Sequence, residues 1–133
     1  KYKKKISLPN NKKINLFHPS LSYFKENVFI DKNVLICANV TISTDVIIES
    51  GVCIMSNVFI GHNTIIKKNT FIAAGAVIGG NIIIKENCFI GLNSTIIENC
   101  TVNKNSILGA GSVLTKNIEN NKIYYGNPAK KKI

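Results

Sequence analysis

From Lys25 to Leu114 the chain reads KENVFI, DKNVLI, CANVTI, STDVII, ESGVCI, MSNVFI, GHNTII, KKNTFI, AAGAVI, GGNIII, KENCFI, GLNSTI, IENCTV, NKNSIL and GAGSVL, one six-residue unit written fifteen times without a break. The sixth slot is Ile from Ile30 to Ile96, then Val102, Leu108 and Leu114. The third slot is always Asn, Asp or Gly, and the fourth is never a large aromatic. A fixed internal period of this kind dictates a stacked, repetitive architecture.

Each unit reads as a short strand followed by a bend. Asn, Asp and Gly tolerate the left-handed backbone conformation that a tight corner demands, which accounts for the third slot. Strand side chains alternate, so the fourth and sixth slots point to one side and fill a narrow interior. The fifth slot (Phe29, Leu35, Ile47, Phe59) points outward and is apolar, which predicts contact with another subunit. Three units close one triangular coil, so the fifteen units predict about five coils. Neighbouring coils pair as parallel strands about 4.8 Å apart. The whole is an all-β chain, a parallel β-helix with short non-repeat caps at both ends.

The chain of 133 residues divides into an N-terminal cap over 1–24, the helix over 25–117, and a C-terminal cap with a basic tail over 118–133. Ile14, Leu16 and Phe17 are expected to enter the first coil and cover its open edge, because an uncovered edge leaves unpaired backbone groups. Ile118, Ile123, Tyr124 and Tyr125 are expected to cap the last coil. Gly126 to Pro128 then turns the chain back along the helix side. The first residue is Lys1 rather than Met, which reads as the trailing part of a longer gene product.

The formal net charge of +10 raises nucleic-acid binding. The lysines, however, are spread over solvent slots and both termini, with no aromatic platform and no recognised nucleic-acid motif, so that class is set aside. No apolar run is long enough to span a bilayer, and no secretory signal is visible. Cys37, Cys53, Cys88 and Cys100 lack metal-binding spacing and read as free thiols in a reducing cytoplasm. Cys88 and Cys100 occupy the small interior slot.

Of the two histidines, His18 lies outside the repeat and reads as a capping residue or an acceptor contact. His62 occupies the second slot of GHNTII, on the outside of a corner. A stacking interval of eighteen residues sets Thr44 and Gly80 on either side of it, and Gly80 leaves open space beside the imidazole. Ala73, Ala74, Gly75, Gly79 and Gly80 form the smallest side-chain stretch in the repeat. A titratable base beside a smooth groove suits ligand chemistry, since neutral imidazole takes a proton near neutral pH. An incidental solvent histidine would give the same pattern.

The hexads resemble those of the hexapeptide-repeat acyltransferases, which fold as a left-handed parallel β-helix. The handedness comes from that resemblance; the general rule for parallel crossovers gives the opposite hand. The run from His62 through Gly91-Leu92-Asn93-Ser94 to Ser106-Ile107-Leu108-Gly109-Ala110-Gly111, with the closing Tyr125-Gly126-Asn127-Pro128-Ala129-Lys130, is similar to one subgroup. That subgroup holds bacterial sialic acid O-acetyltransferases and UDP-4-amino-sugar N-acetyltransferases of cell-surface polysaccharide biosynthesis. The resemblance implies a cytoplasmic enzyme that moves an acetyl group from acetyl-CoA to an amine or hydroxyl of a sugar or nucleotide sugar by direct attack. It implies His62 as general base, with Asn63 beside it where relatives often carry an acid. Asp45 stacks one coil from Asn63 and either substitutes for that acid or simply fills its corner slot. It implies a homotrimer with active sites between subunits and no metal. Phe71, Ala73, Gly80, Leu92 and Ala110 would line the cofactor groove, and Lys130, with Lys131, would meet the CoA phosphates. Residues 1–17 resemble the trailing end of a sugar-nucleotide-binding subdomain. Two other readings stand beside this one. A non-catalytic β-helical trimer is suggested by Asn63. A metal-dependent hydratase of the γ-carbonic anhydrase type shares the β-helix but needs three zinc-binding histidines, and the chain has only two.

Overall fold

The computed structural model describes residues 14–132, so most of the expected subdomain remnant lies outside the described residues. Nineteen strands of two or three residues each, and no helix among the described residues, make up the chain. They form three sheets of eight, six and five strands, which are the faces of a triangular left-handed β-helix.

The eighteen-residue stacking interval holds through the hexads. On the first face Leu35, Cys53, Phe71, Phe89 and Ile107 stand in one column. On the second, Thr41, Phe59, Val77, Thr95 and Val113 do so. On the third the column is Phe29, Ile47, Ile65, Ile83 and Thr101. All of these are fifth-slot residues. Their apolar side chains face outward, with Phe29 61% exposed and Phe59 and Val77 each 43%.

Corners and core follow the slots. Every third-slot residue from Asn33 to Gly111 has a positive φ, and the non-glycines among them lie between 51° and 63°. Val34, Val40, Ile36, Ile42 and their successors are at most a few per cent exposed, and Cys88 and Cys100 are buried among them as expected. Hydroxyls of the polar fourth slots donate to corner carbonyls, Thr70 Oγ1 to Lys85 O at 3.1 Å, Ser94 Oγ to Gly91 O at 2.8 Å and Ser106 Oγ to Glu119 O at 2.7 Å, while Ser112 Oγ accepts the Gly126 N–H at 3.0 Å. The interior therefore carries hydroxyls without leaving them unpaired.

The coil count is six, one more than the hexads predict, because coiling starts ahead of them. Strands Leu16–Phe17 and Ser22–Tyr23 pair in parallel with residues nineteen positions on, while Val28–Ile30 pairs eighteen positions on. The first coil thus holds one extra residue. It is absorbed in the turn Phe24–Asn27, where the Asn27 N–H donates to Phe24 O at 3.1 Å. That irregularity breaks the spelling of the hexads but not the coil. Ile14 and Leu16 stay 68% and 59% exposed, so the interior of the first coil is filled by Leu21 and Tyr23 instead. At the other end Ile118 is fully buried and Tyr124 lies on the core, whereas Ile123 and Tyr125 remain exposed. The tail does not run along the helix side. Lys130–Lys131 doubles back antiparallel on Ile123–Tyr125 and adds a last strand to the first face.

Candidate active site

The three corners of the triangle differ in chemistry. The corner between the third and first faces is charged. It carries the ion pair Lys67–Glu49 at 2.6 Å and Lys104–Glu86 at 3.6 Å. An amide ladder runs up it from Asn69 through Asn87 and Asn105 to Asn121. The other two corners hold the small and apolar residues, and they flank the second face.

His62 stands on the corner between the second and third faces. Its backbone is pinned, because its carbonyl accepts the Asn81 N–H at 2.8 Å and the Thr64 hydroxyl at 3.3 Å. Its Nδ1 lies 3.3 Å from Asn63 Oδ1, a long hydrogen bond. The space over Gly80 is not open, as the sequence suggested, but filled by the imidazole itself. A Cβ built on Gly80 would lie 2.6 Å from Nε2 and 2.7 Å from Cε1. Gly80 is therefore the seat of the ring. The Asp45 carboxylate accepts from the Thr44 hydroxyl at 2.9 Å and makes no hydrogen bond to His62 among the described residues.

One coil before His62 on the same corner, a cavity of about 580 Å³ is lined by Tyr23, Phe24, Lys25, Glu26, Asn27 and Thr44. The turn Phe24–Asn27, which absorbs the extra residue of the first coil, lines this cavity. Asn27 Nδ2 donates to Thr44 Oγ1 at 3.1 Å across its floor, and Thr44 O accepts the Asn63 N–H at 3.1 Å.

Phe71, Ala73 and Leu92 come together on the first face and the corner it shares with the second. With Met55, Ala74 and Phe89 they line a groove of about 350 Å³ without a polar wall. The rings of Phe71 and Phe89 are stacked, with centroids 5.4 Å apart and planes 2° from parallel. Met55 and Phe89 were not singled out from the sequence, although the eighteen-residue interval places them one coil to either side of Ala73 and Phe71. Ala110 is exposed one coil beyond Leu92, outside the groove wall but on its corner. The second-slot N–H groups of Ala74, Gly80, Leu92 and Ala110 donate to no carbonyl among the described residues. Of these residues Leu92 and Ala110 are exposed, so their N–H groups are open to water or a ligand.

Lys130 is exposed on the outermost strand of the first face, four strand spacings or about 19 Å from Phe71. Lys131 is engaged elsewhere, donating to Glu119 Oε2 at 2.8 Å. That contact holds the Glu119 carboxyl below its usual range and pushes the Lys131 ammonium up. His18 lies at the N-terminal end of the groove's corner, its Nδ1 within 2.8 Å of Ser20 Oγ. The structure thus gathers most of the groove residues but sets His62 and Gly80 on a different corner, with the second face between.

A family model described as the GMPPB C-terminal domain matches residues 15–124. No curated protein sequence matches the chain. Among solved structures it is similar to a mutant of perosamine N-acetyltransferase from Caulobacter crescentus in complex with CoA and GDP-perosamine. There the TM-score is 0.88 and the identity 24%, covering 90% of this chain and 56% of that one. It is also similar to the acetyltransferase domain of PglB from Neisseria gonorrhoeae in complex with acetyl coenzyme A. That likeness has a TM-score of 0.86 and 25% identity, over 90% of this chain and 58% of that one. WeeI from Acinetobacter baumannii gives a TM-score of 0.83 at 23% identity, over 86% and 56%. The chain spans little more than half the length of these relatives.

Proposed function

The chain belongs to the GMPPB C-terminal domain family, and from that premise and the site we propose that it is an acetyl-CoA-dependent sugar acetyltransferase that works as a homotrimer. The observation that carries this reading is the division of the site. A seated imidazole occupies one corner and an apolar groove with free amide donors the next, with the whole second face between them. Apposing the groove corner of one copy to the His62 corner of the next completes the constellation. The exposed apolar fifth-slot residues supply the contact surface. The solved relatives support donor and acceptor class, since one holds CoA with GDP-perosamine and another acetyl coenzyme A.

In this reading the groove of Met55, Phe71, Ala73, Phe89 and Leu92 takes the pantetheine arm, with the free N–H groups of its corner bonding the arm's amides. Asn63 Oδ1 accepts from Nδ1, which leaves the Nε2 lone pair free, with Nε2 seated beside Gly80. Nε2 takes a proton from the acceptor amine or hydroxyl as that atom attacks the thioester carbonyl. The C–S bond breaks and the CoA thiolate leaves. A main-chain N–H near the thioester oxygen stabilises the developing oxyanion. The acceptor is a nucleotide sugar or free sugar entering beside Thr44, where the cavity of Tyr23, Lys25 and Asn27 opens next to His62. Lys130 meets the CoA phosphates. The free thiols suit a reducing cytoplasm. The non-catalytic trimer keeps one supporting observation, an amide at Asn63 that orients imidazole but gives imidazolium no charge partner.

The test is calorimetry with acetyl-CoA on wild type and His62→Ala, followed by acetyl transfer to sialic acid, nucleotide-linked 4-amino sugars and serine. Cofactor binding in both proteins, with turnover lost about 10²–10⁴-fold in His62→Ala, is the expected result. Absence of acetyl-CoA binding overturns the transferase and leaves the assembly module.

A further inference from the structure

Three sulfur atoms converge on the outer surface of the first face, and neither the repeat nor the proposed transfer uses them as a group. Leu35 pairs with Cys53 and Ile36 with Ile54, so Cys37 stands beside Met55 one coil away. Cys53 precedes Met55 by two residues, which puts all three side chains on the same side of the sheet. Met55 Sδ lies 3.9 Å from Cys37 Sγ and 3.9 Å from Cys53 Sγ. Cys37, Cys53 and Met55 are each half-buried, and both thiols are free.

The two thiols are not disposed for a disulfide. They are offset by one strand spacing and two residues along the strand, about 8 Å between Cα atoms. A disulfide needs about 7 Å or less. What they share is the thioether between them. Three sulfurs each about 2.3 Å from a central ion stand about 4.0 Å apart in a trigonal plane, which matches both separations to Met55.

We propose that Cys37, Cys53 and Met55 form a binding site for one soft monovalent d10 cation, Cu(I) or Ag(I). Thiolate and thioether ligands select such ions over harder divalent ones. A zinc centre would need a fuller set of nitrogen or thiolate ligands, and no group of three His, Cys, Asp or Glu suited to a metal occurs among the described residues. A cavity of about 440 Å³ lined in part by Phe17, His18 and Cys37 opens beside the first of the two thiols. The ion displaces the two protons to solvent and leaves a centre of one positive ion and two thiolates, net charge −1. Met55 also lines the apolar groove, so an ion held here fixes one groove wall.

The experiment is an anaerobic titration of the reduced full chain with Cu(I) against bicinchoninate as competing chelator, following the chelator's colour and the thiolate-to-copper absorption in the near ultraviolet. Wild type and Cys100→Ser, whose thiol is buried away from the cluster, are expected to take up one ion per chain. Met55→Leu is expected to hold it at least tenfold more weakly, and Cys37→Ser and Cys53→Ser are expected to lose the near-ultraviolet band. Met55→Leu conserves volume and keeps the fold, so it decides the question even where a cysteine variant folds poorly. No uptake by wild type, or equal affinity in Met55→Leu, overturns the site.

Discussion

The imidazole of His62 lies directly over Gly80, with Nε2 at 2.6 Å from where a Cβ on that glycine would stand. Gly80 has no positive φ, so alanine fits its backbone and the conflict is with the ring alone. Gly80→Ala is expected to leave thermal unfolding nearly unchanged while lowering kcat for acetyl transfer by about 10²-fold, the scale of a misplacement of about 1 Å. The acetyl-CoA KM should stay as in wild type. A variant of full activity would show that the ring position over Gly80 has no part in catalysis.

Asn63 touches the other ring nitrogen, Nδ1, at 3.3 Å. Asn63→Asp puts a carboxylate where imidazolium forms, and a nearby opposite charge favours the charged form. The acid limb of the kcat–pH profile is expected to move to higher pH than in wild type. Aspartate also accepts the corner's positive φ, as Asp45 does at 57°. An unshifted profile would remove Asn63 from the base.

Phe71 and Phe89 make the floor of the apolar groove. Phe71→Ala removes one of two stacked rings on an outer face, so its effect should appear in acetyl-CoA affinity before it appears in stability. A tenfold or greater weakening by calorimetry is expected, with sugar KM unchanged.

The C-terminal hairpin is tied by Lys131 to Glu119. The Glu119 carboxyl is held below its ordinary value by the Lys131 ammonium. A lowered folded-state value means the tie is complete above the ordinary carboxylate range near pH 4.3 and fades as pH falls through the lowered value. The raised Lys131 value runs the other way, complete below about pH 10.4 and lost only at still higher pH. The pair is exposed, so the readout is local. Amide exchange at Lys132, whose N–H donates to Ile123 O at 2.7 Å, should quicken in Glu119→Gln near neutral pH, while wild type quickens only in acid.

Ile72 is fully buried in the middle coil, beneath the candidate groove. Ile72→Ala is expected to cost about 2–5 kcal/mol in denaturant unfolding. The loss should fall at the upper end, because neighbouring coils above and below hold the interior spacing fixed.

The hexads were enough to read the fold. The third slot announces its corner chemistry in every unit, and the backbone there is left-handed from Asn33 to Gly111 as that chemistry requires. Leu16–Phe17 pairs onto the first coil as expected, but Ser22–Tyr23 was missed as a strand because one extra residue near Phe24 shifts the register from eighteen to nineteen. A period search has no means of bridging such a slip, whereas a backbone ladder does so by bulging one corner.

His62 and Ala73 stood out from the sequence because histidine is rare here and small residues cluster on these coils, whereas Phe71 and Leu92 were pointed to only by the family resemblance. Sequence by itself determined the triangular coil, its buried isoleucine stack and its outward apolar slots, since each depends only on a residue's place within six. Only the tertiary structure decided that Gly80 seats the imidazole, that Met55 and Phe89 complete the apolar groove, and that the imidazole and that groove stand on different corners. The eighteen-residue interval says which residues stack, but how the imidazole turns over Gly80 and how the Phe71 and Phe89 rings meet depend on side-chain packing between coils, which a period does not carry.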